Sequence, residues 1–106
     1  MHYNLAVLLS ARGEDADAVK HYRIAAHHDP DDPEIHNNLG FLLARLGDVR
    51  GAETSFLRAI DLAPDFAHPY FNLGRLLLES GRDGEALPLL ERAAQLDKRY
   101  ADILAG

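Results

Sequence analysis

The sequence has no cysteine and no tryptophan. The first absence excludes disulfides and thiol chemistry, and it leaves every compartment open on redox grounds. Lysine is nearly missing too: Lys20 and Lys98 stand alone, and the nine arginines are scattered without forming a stripe. With a formal net charge of -6, the chain lacks the clustered cations that a phosphate backbone needs, so nucleic acid is not expected as a partner. No apolar run approaches the roughly 18 residues of a membrane helix, so no membrane contact is expected. The opening Met1-His2-Tyr3-Asn4 lacks the charged head and cleavage pattern of a secretory leader, which makes the cytoplasm the default expectation.

What is present is regular. The 106 residues suit one small domain, and a hydrophobic share of 47% is enough to bury a core. Asn38-Leu39-Gly40 recurs as Asn72-Leu73-Gly74, a shift of 34 residues. The same shift carries Gly47 to Gly81, Ala52 to Ala86, Arg58 to Arg92, Ala59 to Ala93 and Leu62 to Leu96. Run backwards, it places Asn38-Leu39 on Asn4-Leu5, Gly47 on Gly13, Ala52 on Ala18, Ala59 on Ala25 and Pro64 on Pro30. Internal periods of this size mark stacked repeat architectures.

Each unit reads as two helices. In the middle unit Ile35, Leu39, Leu42, Leu43 and Leu46 recur at helical spacing. Asp32-Pro33 opens that helix with a capping carboxylate and a proline whose missing N–H costs nothing in the first turn. Gly47 closes it in a left-handed conformation. Asp48 then starts a second helix carrying Ala52, Phe56, Ala59, Ile60 and Leu62, which Ala63-Pro64-Asp65 ends. Small residues at Ala6, Gly40 and Gly74 on first helices, and at Ala18, Ala52 and Ala86 on second helices, leave room for close packing. No segment reads as a strand. A single hairpin cannot bury such a face alone, so neighbours must stack.

The middle unit sets His36, Leu39-Gly40, Leu43, Ala52, Phe56 and Pro64 at fixed spacing. The third repeats this as Tyr70, Leu73-Gly74, Leu77, Ala86 and Leu90, with Lys98 where proline is usual, and the first as His2, Leu5-Ala6, Leu9, Ala18, Tyr22 and Pro30. This pattern resembles the tetratricopeptide repeat family. The resemblance implies an all-α solenoid of three antiparallel helix-turn-helix repeats coiled into a right-handed superhelix. One domain over 1–106 is expected, with repeats at about 1–32, 33–66 and 67–100 and a partial capping helix at 101–106. Histidine at the opening aromatic place predicts a weaker contact there, and Pro88 predicts a disturbed start to the last second helix.

First helices in the family line a concave groove, which implies a protein or peptide partner. The groove-facing positions are then Tyr3, Val7 and Ala11, Glu34, Asn37, Asn38, Phe41 and Arg45, and His68, Phe71, Asn72, Arg75 and Glu79. Asn4, Asn38 and Asn72 stand in register and read either as an amide ladder for a guest backbone or as part of the stack. Phe41 and Phe71 are not required by the repeat and point to binding. Relatives that hold acidic chaperone tails use a Lys and Asn, then an Asn, then a Lys with an Arg. Here Tyr3 and Val7 stand at the first pair and His68 and Asn72 at the last, so that ligand is not expected.

Other readings carry less. His27-His28-Asp29 with Asp31, Asp32, Glu34 and His36 could suggest a metal site, but helix capping explains them and no metal or cofactor is expected. Ser10, Ser55 and Ser80 lie in ordinary helical contexts without a nucleophile elbow, so no enzyme is expected. Neither end is convincingly capped. Self-association, or a place within a larger multidomain protein, is therefore the alternative function.

Overall fold

The computed structural model describes residues 14–105, and those residues form six helices with no strand among them. These are α1 (Asp15–His28), α2 (Pro33–Arg45), α3 (Val49–Leu62), α4 (Ala67–Glu79), α5 (Asp83–Leu96) and α6 (Lys98–Ala105). The first helix expected for the opening unit lies outside the described residues, and with it Tyr3, Asn4, Ala6, Val7 and Ala11.

The helix ends follow from local chemistry. The Asp32 carboxylate accepts from the Glu34 N–H at 2.9 Å, with Pro33 in the first turn. Asp48 accepts from the Gly51 N–H at 3.0 Å. Gly47 and Gly81 have φ of 87° and 76°, and each closes the same pair of bonds. Asp48 N–H reaches Leu43 O at 2.8 Å and Gly47 N–H reaches Ala44 O at 3.1 Å. Arg82 and Gly81 repeat this onto Leu77 and Leu78 at 2.8 and 3.1 Å. Such a reversal satisfies the last carbonyls and needs a left-handed residue that only glycine adopts cheaply.

The hairpins α2–α3 and α4–α5 pack most extensively, and successive hairpins join through α1–α2, α3–α4 and α5–α6. Small residues set the closeness. A Cβ built on Gly40 would lie 2.8 Å from the Phe56 ring and 3.1 Å from Ala52 O, and one on Gly74 would lie 2.6 Å from Leu90. Ala18, Ala52 and Ala86 are fully buried, while Phe56, Leu42 and Leu73 fill the remaining space.

Two expectations change in detail. His36 Nε2 donates to Pro30 O at 2.7 Å, and 34 residues on the Tyr70 hydroxyl donates to Pro64 O, also at 2.7 Å. Histidine therefore makes the same bond as tyrosine rather than a weaker one, because both rings carry a donor at similar reach. Pro88 sits inside α5 without breaking it. The ring opposes the carbonyl of Gly84, and both residues are exposed, so the freed carbonyl is open to solvent.

Exposed ions brace the joints between units. Arg58 meets Asp31 at 3.7 Å and Arg92 meets Asp65 at 3.6 Å, the same pair one repeat apart. Arg82 bonds Glu53 at 2.9 and 3.2 Å and Glu85 at 2.6 and 3.0 Å, which ties α3 to the start of α5. The Arg82 bond also holds the Glu85 carboxyl below its ordinary value.

Candidate functional site

First helices of adjoining units touch directly (α2 against α4), whereas the second helices α3 and α5 make no comparable contact. The stack therefore bends toward its first helices, and α2 and α4 line its inner face. A cleft of about 220 Å³ opens between them. Phe41, Arg45, Asn72, Arg75 and Glu79 rim it, and Ala44, Phe56 and Leu76 line it as well.

Five of the expected groove residues thus meet in one place. Phe41 is 40% exposed although it is a large aromatic on a packed helix. The Arg45 guanidinium lies 5.6 Å from its ring centroid and its Nε lies 3.1 Å from Asp15. One Asp15 oxygen is buried without a hydrogen bond, so the ion pair is only partly satisfied. Arg75 lies 5.9 Å from the Phe71 centroid, and its nearest carboxylate, Glu79, is 3.8 Å away.

The other expected residues sit differently. Asn37, expected on the open groove, is 6% exposed. Its side-chain oxygen accepts from Asn72 Nδ2 at 3.1 Å, so this amide pair links the two first helices and fixes how Asn72 faces the cleft. Asn38 is half-buried beside it. Glu34 is exposed near the helix start.

His68 and Phe71 are covered by α6. The Phe71 and Tyr100 rings stack with centroids 4.3 Å apart and planes 21° apart. The Tyr100 hydroxyl and His68 Nδ1 share a hydrogen bond, and Phe66 meets His68 edge-on at 5.3 Å. Burial pushes the Tyr100 phenol above its ordinary value. The residues that sequence reasoning missed are the floor (Ala44, Phe56, Leu76) and Tyr100 as a lid on Phe71. Phe56 and Leu76 belong to the repeat's own packing pattern, Ala44 does not recur, and Tyr100 lies beyond the groove positions expected on the third first helix.

α6 is held at its start by Asp97. The Asp97 carboxylate accepts from the Arg99 backbone N–H at 2.9 Å and from the Arg99 guanidinium at 2.7 Å. Those bonds hold its pKa down to about 2, the side-chain bond contributing most. A depressed carboxyl stabilises the fold above the ordinary carboxylate range and loses that contribution as pH falls through the folded value. The start of α6, and with it the Tyr100–Phe71 stack, is expected to loosen between about pH 4 and about pH 2. An NMR titration of the Arg99 and Tyr100 amides reads this. Asp97→Asn should remove the step, and an unchanged titration in that variant would contradict the assignment.

No helix among the described residues is long and apolar enough to cross a membrane. Comparison with known proteins agrees with the geometry. The tetratricopeptide repeat family matches residues 31–99, and a TPR repeat description also matches residues 8–47. A TPR repeat-containing protein of Pseudomonas aeruginosa is 37% identical over 98 residues, which is 92% of this chain and 40% of that protein. The protein CTR9 homolog of Arabidopsis thaliana is 27% identical over 108 residues, 98% of this chain but 10% of that protein. The chain therefore spans less than half the length of these relatives. Among solved structures, MamA superposes with a TM-score of 0.86 at 19% identity, over 95% of this chain and 59% of that one. That likeness speaks for the fold. Stacked hairpins with glycine reversals at a constant interval, matched by the family's own pattern over most of the sequence, make this chain a member of the tetratricopeptide repeat family.

Proposed function

We propose that the chain is a protein-interaction scaffold that holds a segment of a partner protein in the cleft between α2 and α4. Phe41 carries the reading: a large aromatic, 40% exposed, over an apolar floor on the inner face of the stack. Exposed aromatics flanked by arginine are what interface hot spots are made of. Arg45, Asn72, Arg75 and Glu79 supply polar contacts around it, and Asn37 positions Asn72. Asn38 lies on α2 outside the cleft lining, His68 and Phe71 lie on α4 under α6, and Tyr3, Asn4 and Val7 would extend the groove in the first unit. The work is binding rather than catalysis. The short span of this chain within its relatives suits an interaction part of a larger protein.

Site-specific photo-cross-linking tests the location. A benzophenone amino acid at position 41 should trap partner protein from the native lysate. The same group in place of Leu57, 49% exposed on a second helix, should not. Trapping only from position 57 would move the site to the other face.

A second reading, self-association, rests on Ile103. It is 59% exposed, whereas Ile35 is 3% exposed and Pro69 is fully buried at the same place in earlier units. A second copy that covered α6 would bury it. Light scattering across concentrations should then show a dimer that Ile103→Glu abolishes, and a strict monomer at every concentration removes this reading.

A further inference from the structure

We infer that the α2–α4 cleft selects a partner segment that presents one apolar side chain next to a side-chain carboxylate. This rests on the groove reading above and specifies its ligand chemistry.

The residues that build the stack return every 34 positions, as Leu39 and Leu73, Gly40 and Gly74, or Ala52 and Ala86 do. In the cleft Asn72 and Leu76 also follow this rule, repeating Asn38 and Leu42, but the aromatic and charged residues do not. The same shift turns Phe41 into Arg75 and Arg45 into Glu79. Packing does not dictate these side chains, so their pairing answers to something else. Each arginine instead follows a phenylalanine by four residues on one helix face, Phe41 to Arg45 and Phe71 to Arg75, with the guanidinium over the ring at 5.6 and 5.9 Å. The face of the ring attracts a guanidinium at this distance, and about half of each arginine side chain stays open to solvent.

Size and charge then narrow the guest. At about 220 Å³ the cleft falls below the roughly 300–1,000 Å³ usual for small-molecule pockets. Its floor of Ala44, Phe56 and Leu76 suits one aliphatic or aromatic side chain. Of the two cations, Arg45 is engaged with Asp15 at 3.1 Å. Among the described residues Arg75 has only Glu79, at 3.8 Å, with side chains 55% and 68% exposed. So open and distant a pair contributes little, and a guest carboxylate at hydrogen-bond length on the guanidinium displaces it. A cationic guest would meet the open Arg75 guanidinium, with Arg45 already paired to Asp15 and Glu79 the one exposed carboxylate at the rim. The overall charge of -6 repels a long acidic run, so the attraction is local and suits a single acid.

Panning a phage-displayed library of random heptapeptides against the purified protein at low salt tests this. Enriched peptides should pair an apolar residue with a neighbouring Asp or Glu. Synthesised with a blocked C-terminus, the best of them should bind Phe41→Ala and Arg75→Glu about tenfold or more weakly than wild type, with helicity unchanged by circular dichroism. Panning against Arg75→Glu should shift the enriched neighbour to Lys or Arg. Enriched peptides that need Phe41 but carry no acid, or that ignore Arg75→Glu, overturn the carboxylate assignment and leave the groove standing. Peptides indifferent to Phe41→Ala, or no enrichment at all, overturn the assignment and the groove together.

Discussion

Phe56→Ala is expected to cost about 3–5 kcal/mol, the range for truncating a buried aromatic. Phe56 is 1% exposed and among the largest fully buried side chains. It rises from α3 against the one place on α2 where no side chain stands, since a Cβ at Gly40 would meet its ring at 2.8 Å. Removing the ring leaves a cavity inside the α2–α3 hairpin and takes away part of the cleft floor. Urea denaturation followed by circular dichroism measures the loss. The geometry also fixes a coupling. Gly40→Ala alone forces the ring to move, whereas in the Phe56→Ala background the added methyl is relieved of the ring, keeps only the tight 3.1 Å approach to Ala52 O, and gains helix propensity of up to about 1 kcal/mol. The double variant should therefore be more stable than the sum of the single changes. Strict additivity would mean that Gly40 and Phe56 do not form the contact described.

Most of the fold was legible because the features that build it are local and recur. A glycine at a reversal, an aspartate before a helix, and an alanine opposite a large residue each impose one conformation wherever they stand. The glycine recurs as Gly47 and Gly81 and the alanine as Ala18, Ala52 and Ala86, whereas the capping aspartates Asp32 and Asp48 stand in the middle unit alone. The site was legible in part. Phe41, Arg45, Asn72, Arg75 and Glu79 follow from helical spacing and converge as that spacing implies. Asn37 illustrates where the spacing runs out. It lies one residue from Asn38 and was placed on the same open face, yet a rotation of about 100° per residue is enough to turn one amide into the joint between α2 and α4. Its partner is 35 residues away, and single-helix geometry cannot see across a joint.

His68 and Phe71 lie on α4, but what covers them comes from α6. A ring is exposed or stacked according to its neighbours in space, and Tyr100 reaches Phe71 from the next turn of the stack. The opening histidine of the middle unit, His36, marks a different limit. An aromatic place had been read as a packing place, but the bond to the carbonyl of Pro30 or Pro64 shows that the ring's polar tip is what the turn uses. Histidine and tyrosine satisfy it equally.

Leu39→Ala is expected to cost about 2–5 kcal/mol and to do so differently from a change near the end of the stack. Leu39 is 6% exposed and lies in α2, which packs against α1, α3 and α4. Stability in a linear repeat array is approximately a sum of unit and nearest-neighbour terms. A defect in the middle unit therefore weakens the joints on both sides, while Leu90→Ala, in α5 between α4 and α6, spares the joint between α1 and α2. Against a total of about 5–15 kcal/mol for a domain, the middle change removes a large share. It should lower the urea midpoint and also shallow the transition, as the outer hairpins begin to melt separately. Leu90→Ala should lower the midpoint with less loss of slope. Equal slopes in the two variants would show that the chain melts as one indivisible unit, and an unchanged midpoint in Leu39→Ala would remove Leu39 from the core.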